Sequence, residues 1–163
     1  GLRDWSVTGV QTCALPILPR GSNPQTISFA QGLRARSGSD AAFVDAVLAR
    51  FTEEPYAYSL NPPLLPGDNP MDSFLFDTQT GFCEHYAAAF VIMMRAAGVP
   101  SRVVAGYQGG EVNPVNRTVI VHQFDAHAWA EVWLEGQGWV RVDPTAAVSP
   151  DRLEWGLDRS LAG

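Results

Sequence analysis

Apolar residues in this chain change their period at Gly98-Val99-Pro100, and that change limits the folds open to it. Upstream, Phe43, Val44, Val47, Leu48 and Phe51 recur at helical spacing behind a possible cap at Asp40, in a helix that must end before Pro55. Ala87, Phe90, Val91 and Met94 repeat the pattern in a helix that begins near Cys83 and stops at Gly98, where glycine accepts a left-handed cap and Pro100 blocks continuation. Asn23 before Pro24 fits an N-cap with proline at the first helical position, predicting a short helix through about Arg34. Residues 56–60 read as extended and run into a loop over the surface, because Pro62, Pro63, Pro66, Gly67 and Pro70 suit neither helix nor inner strand. Downstream, residues 102–107, 118–123, 127–134 and 139–143 read as strands. Helices first and strands afterwards predict an α+β fold with an antiparallel sheet, not a doubly wound parallel one.

A chain of 163 residues supports one core, and 46% hydrophobic against 17% charged residues suits a globular domain. The net charge of −6 comes with no run of basic residues, which argues against nucleic acid as a partner. The longest uncharged stretch, residues 5–19, is shorter than a spanning helix requires and is broken by Pro16 and Pro19, so the chain as it stands is expected to be soluble. Residues 1–17 stand apart. Within them, residues 7–17 resemble the translation of a sequencing-library adapter, so this arm reads as non-native or unordered, with a native flexible arm as the alternative. The domain proper is then 18–163, Cys13 carries no function, and removing the arm should leave activity and melting temperature almost unchanged.

The two cysteines, Cys13 and Cys83, form neither a disulfide framework nor a metal knuckle, so any important cysteine acts alone. Cys83 follows Gly81-Phe82 at a helix start, where the positive dipole end stabilises a thiolate and the backbone N–H can meet an acyl oxyanion. A buried small hydrophobe is the plainer reading of such a residue. The last hairpin sharpens the choice. If Glu135-Gly136-Gln137 is a three-residue loop, Trp129 opposes Asp143, and His127, Trp129, Glu131 and Trp133 share a face with Arg141 and Asp143. His127 then lies diagonal to Asp143, within reach of its carboxylate. Cys83, His127 and Asp143 supply a nucleophile, a base and an orienting acid in that chain order.

A metal held by Cys83, His85, His122 and His127 is disfavoured, since Cys-x-His places two ligands badly on a helix. His85 reads as a surface or supporting residue, and His122 as either core-satisfied or site-lining. Gln79, just upstream of Cys83, is a candidate second oxyanion donor or a solvated loop residue. Trp129 is a candidate wall of an acyl groove, although aromatics on a sheet more often serve packing.

The motifs Thr80-Gly81-Phe82-Cys83-Glu84-His85-Tyr86-Ala87, Arg95-Ala96-Ala97-Gly98-Val99-Pro100, His127-Ala128-Trp129-Ala130-Glu131 and Gly138-Trp139-Val140-Arg141-Val142-Asp143-Pro144-Thr145 together resemble the bacterial transglutaminase-like domain, in particular its TgpA-type branch. The resemblance runs from about Leu18 to the C-terminus. It implies a papain-like transglutaminase core with a Cys-His-Asp triad carried onto Cys83, His127 and Asp143, and no cofactor or metal. It also implies a monomeric domain on the periplasmic face of the bacterial inner membrane, in a parent protein anchored through segments outside this chain, acting on a protein or peptide substrate. The expected reaction is cysteine-dependent acyl transfer through a thioester, from a glutamine carboxamide to a lysine amine. The alternatives are a related cysteine hydrolase (protease, amidase or deamidase) and a non-catalytic binding or regulatory domain.

Overall fold

The computed structural model describes residues 18–149. The reading of residues 1–17 lies outside them. Helix α1 (Pro24–Arg36) begins at the proline as expected, and helix α2 (Asp40–Glu53) forms where the apolar spacing requires, burying Phe43, Val44, Val47 and Phe51. Their starts differ in detail from the sequence reading. Ser39, not Asp40, caps α2, its side chain accepting the Ala42 N–H at 3.1 Å. Asn23 adopts a left-handed conformation (φ 49°) and spends its Oδ1 on the Met71 N–H at 2.9 Å, so it does not cap α1 with its side chain. The carboxylate of Asp72 takes that part, accepting from the N–H groups of Gln25 and Thr26 at 3.0 and 2.7 Å. A cap supplied from so far along the chain leaves no local signature.

The proline-rich segment ends in regular structure rather than continuing as loop. Pro70 opens a single helical turn, Pro70–Asp72, which widens into a π-helix over Ser73–Thr78. Phe74 and Leu75 bury their side chains there, and Arg50 of α2 reaches across to donate to the Leu75 carbonyl at 3.1 Å. Strand β1 (Ala57–Tyr58) pairs in parallel with β2 (Thr80–Gly81). These two short strands bring Tyr58 alongside the start of helix α3 (Cys83–Ala96).

Helix α3 buries residues around most of its circumference, including Tyr86, Ala87, Phe90, Val91, Met93 and Met94, as expected of a central helix covered on several sides. Gly98 ends it at φ 81°, in the left-handed region that glycine enters without Cβ strain. Arg95 then clamps the exit by donating to the Ser101 carbonyl through Nε and Nη2 at 3.0 and 2.9 Å.

One face of α3 lies against a three-stranded antiparallel sheet of order β3-β6-β7, formed by Ser101–Tyr107, Ala126–Leu134 and Gly138–Val142. Ala128, Ala130, Val132, Leu134 and Val142 face the core, and the alternate residues face outward. The hairpin register is the predicted one: Leu134 pairs with Gly138, Trp133 with Trp139 and Ala130 with Val142. The strand expected over 118–123 is shorter. Only Val119–Ile120 (β5) is regular, paired with Glu111–Val112 (β4) in an excursion between β3 and β6. His122 leaves the strand because Asp125, buried at the end of a 3₁₀ turn over Gln123–Asp125, accepts its N–H at 2.8 Å and turns the chain into β6.

Candidate active site

The core elements meet at one cleft of about 350 Å³. Its walls are largely apolar, from Tyr58, Phe82, Ala105, Phe124 and Ala128, and its floor holds Cys83 and His127. The first residue of α3 is Cys83, so the sulfur stands at the positive end of that helix's dipole. Ala87, one turn along, and Ala128 on β6 pack against it and leave it almost buried. Small residues on the helix and the strand let these backbones approach and set the thiol against the imidazole of His127.

His127 lies near the start of β6, and Asp143 follows directly on β7, whose last regular pair is Ala130 with Val142. The diagonal relation anticipated from the hairpin is present. His127 Nε2 and Asp143 Oδ2 are 2.6 Å apart, with side chains 0% and 9% exposed. Asp143 is itself held in place. Its Oδ1 accepts the Thr145 N–H at 3.2 Å, while Pro144 directs the chain into a 3₁₀ turn.

The second ring nitrogen, Nδ1, is buried and makes no hydrogen bond of regular geometry. Cys83 nonetheless acts on the ring, through hydrogen bonding and through charge. Burial disfavours the charged ring, but the hydrogen bonds and charges of Asp143 and Cys83 outweigh it and raise the His127 pKa to about 9. The site therefore favours an imidazolium beside the sulfur near neutral pH.

Trp129 and Arg141 roof the pair on the outer face of the sheet. The Trp129 ring stacks on His127 with centroids 6.2 Å apart, and the Arg141 guanidinium lies 4.3 Å over the Trp129 ring. Arg141 Nη2 also approaches Asp143 Oδ2 at 3.5 Å and donates to Gln108 Oε1 at 3.0 Å. Trp129 thus packs beside the imidazole–carboxylate pair, and the lining of the cleft itself comes from other residues. Gln79 points elsewhere as well, its Nε2 donating to Glu54 Oε2 at 3.3 Å behind the β1–β2 pair. His85 accepts the Phe82 N–H through Nδ1 at 3.3 Å and stacks edge-on with Phe82, which braces the residue before Cys83. His122 stacks on Phe124 and sits 3.7 Å from Glu111. The four residues weighed as metal ligands therefore do not converge on one point.

Sequence reasoning missed Tyr58, Phe124 and Ala105 as cleft residues. Tyr58 arrives through a two-residue parallel pairing and Phe124 through a 3₁₀ turn, neither of which has a periodic signal.

A buried thiol at a helix N-terminus, facing an imidazole and a carboxylate on an antiparallel sheet, places the chain among the papain-like cysteine folds. The sequence profile of the Transglutaminase-like superfamily matches residues 27–144. The chain belongs to that superfamily. It is 53% identical over 146 residues to the protein-glutamine gamma-glutamyltransferase of Pseudomonas aeruginosa, a match covering 90% of this chain and 22% of that protein. It is 39% identical over 79 residues to the uncharacterized protein YebA of Bacillus subtilis, covering 46% of this chain and 11% of that one. The crystal structure of the periplasmic domain of TgpA from Pseudomonas aeruginosa superposes with a TM-score of 0.86 at 52% identity, over 90% of this chain and 50% of that one. A cysteine-protease-like chain from Cytophaga hutchinsonii, at 19% identity and a TM-score of 0.56 over 79% of this chain and 39% of that one, shares the fold alone. The chain thus spans half of the crystallised periplasmic domain and about a fifth of the curated relative. Among the described residues no helix is long and apolar enough to cross a membrane.

Proposed function

We propose that this domain is a protein-glutamine gamma-glutamyltransferase that works through a thioester on Cys83. The observation that carries the reading is the buried His127–Asp143 pair at 2.6 Å beside a sulfur at a helix N-terminus. Cys83 as thiolate attacks the glutamine carboxamide carbon, and the N–H groups of the first turn of α3 stabilise the oxyanion. His127 gives its proton to the departing ammonia. In the second half, His127 takes a proton from the incoming lysine amine as that nitrogen attacks the thioester, and the sulfur leaves as thiolate, which restores the starting ion pair. Asp143 fixes the ring so that Nδ1 faces the sulfur, and it stabilises the imidazolium in both halves. Trp129 supports this geometry by covering the ring, and Gln79 is left without a part in the cleft.

The apolar walls favour transfer over hydrolysis, since water is poorly held there while the aliphatic stem of a lysine is well accommodated. The 53% identity to a protein-glutamine gamma-glutamyltransferase supports the same choice. The match to a periplasmic domain supports a position on the periplasmic face of the inner membrane, in a longer membrane-anchored protein; in this reading the domain acts as a monomer on protein or peptide substrates. The test is incorporation of a fluorescent primary amine into a glutamine-bearing protein. Labelling is the expected result; ammonia or new chain termini without labelling would make the domain a hydrolase, and binding with neither product a non-catalytic module.

A further inference from the structure

Glu84 follows Cys83 directly and lines the same cleft, with its side chain exposed. No other carboxylate and no arginine or lysine lines that cleft among the described residues, and the neighbour whose charge Glu84 meets is the His85 ring beside it on α3. An acidic residue in the first turn of a helix is accounted for by the helix dipole. That account does not require the side chain to stand exposed, with no basic side chain opposite it, in the lining of an apolar cleft beside the sulfur.

A second feature bears on what it meets there. All eleven basic residues of this chain are arginine, and it contains no lysine at all. Its glutamines include Gln123, which lines the cleft. This stretch of protein can therefore offer acyl donors but no lysine amine. A lysine acceptor must come from outside this stretch, and below a pH of about 10 its amine arrives as an ammonium ion.

We infer that Glu84 is a specificity-determining residue that docks the ammonium group of an external acceptor at the mouth of the cleft, next to the Cys83 thioester. This inference rests on the transferase reading above. The docked ammonium loses one proton to water. The neutral nitrogen then forms its bond to the acyl carbon, its second proton passes to His127, and the carbon–sulfur bond breaks with Cys83 leaving as thiolate. The acyl group ends as a secondary amide and the thiolate–imidazolium pair is regenerated, so the step balances without an oxidant or a cofactor.

The experiment compares two acceptors with one lysine-free glutamine peptide as donor. Monodansyl cadaverine carries an ammonium group at the assay pH, whereas hydroxylamine is uncharged. In Glu84→Gln, the ratio of KM for cadaverine to KM for hydroxylamine is expected to rise about two- to fivefold over wild type, the size of one exposed charge contact. Glu84→Asp should restore most of that ratio. High salt should raise the cadaverine KM of wild type and leave that of Glu84→Gln much less affected. An unchanged ratio in Glu84→Gln, whether activity falls for both acceptors or for neither, would overturn the inference and leave Glu84 as a dipole partner of α3. A wild type that forms neither conjugate nor hydroxamate would overturn the transferase reading, and this inference with it.

Discussion

The imidazole of His127 and the carboxylate of Asp143 meet at 2.6 Å although the two residues are not cross-strand partners. Asp143 stands one step beyond the last regular pair of the hairpin, and Pro144 turns the chain there, so the carboxylate leans diagonally toward β6. The acid is thus placed by the end of a strand, where neither its own backbone nor the ladder competes for Oδ2.

Asp143→Asn should fold and lose on the order of 10⁴-fold in turnover, because an amide cannot stabilise the imidazolium and imposes the wrong tautomer. Glu131→Gln should be much milder, since Glu131 lies on the outer face and pairs with Arg102 at 2.6 Å. Steady-state rates of the two variants check the ranking. A reversal would make Glu131 the orienting acid.

The hairpin illustrates what the sequence made legible. A three-residue loop and strict alternation from Ala128 to Leu134 fix which residues share a face, so the pairing of His127 with Asp143 follows from counting. The start of α3 at Cys83 is legible for a similar reason, with Gly81 and Phe82 before the helix and Gly98 and Pro100 after it. The cap of α1 by Asp72 and the π-helix over Ser73–Thr78 are not, because both depend on tertiary partners rather than on local periodicity. The excursion carrying β4 and β5 misleads for another reason. Its valines alternate as in a long strand, yet the buried Asp125 bends the chain at His122.

Stability should fall as pH rises from about neutral. The pKa of His127 is raised to about 9 in the folded chain, against an ordinary value of 6.5, since Asp143 and Cys83 overcome the effect of burial. A group raised in this way contributes its full stabilisation below the unfolded value and loses it as pH passes through the folded one. Melting temperature measured from pH 6 to 10 should decline chiefly between 6.5 and 9, and Cys83→Ala, which removes one of the groups raising the ring, should flatten part of that decline. A flat or rising profile in wild type would contradict this.

Gly81→Ala should destabilise the fold by about 1–3 kcal/mol through overpacking. A Cβ at this position would lie 2.8 Å from both the Cβ of His85 and Cε2 of Phe74, and Phe74 is fully buried. Denaturant melts give the number. A change under about 0.5 kcal/mol would mean that these rings yield more readily than their packing indicates.

Gly106→Ala should impair catalysis more than folding. Its Cβ would come within 2.8 Å of the Trp129 ring, which stacks on His127, so the imidazole would lose its support. A rate drop with a nearly unchanged melting temperature is the expected pattern, read from parallel kinetics and melts.

The central claim is that the acyl group passes through the sulfur of Cys83. Intact-protein mass spectrometry after acid quench of the chain mixed with a glutamine peptide reads this directly. Wild type should carry an adduct equal to the peptide less one ammonia, mapped to Cys83 and released by added amine, and Cys83→Ala should fold, carry none and turn over no substrate. An adduct on another residue, or continued amine incorporation by Cys83→Ala, would contradict the account.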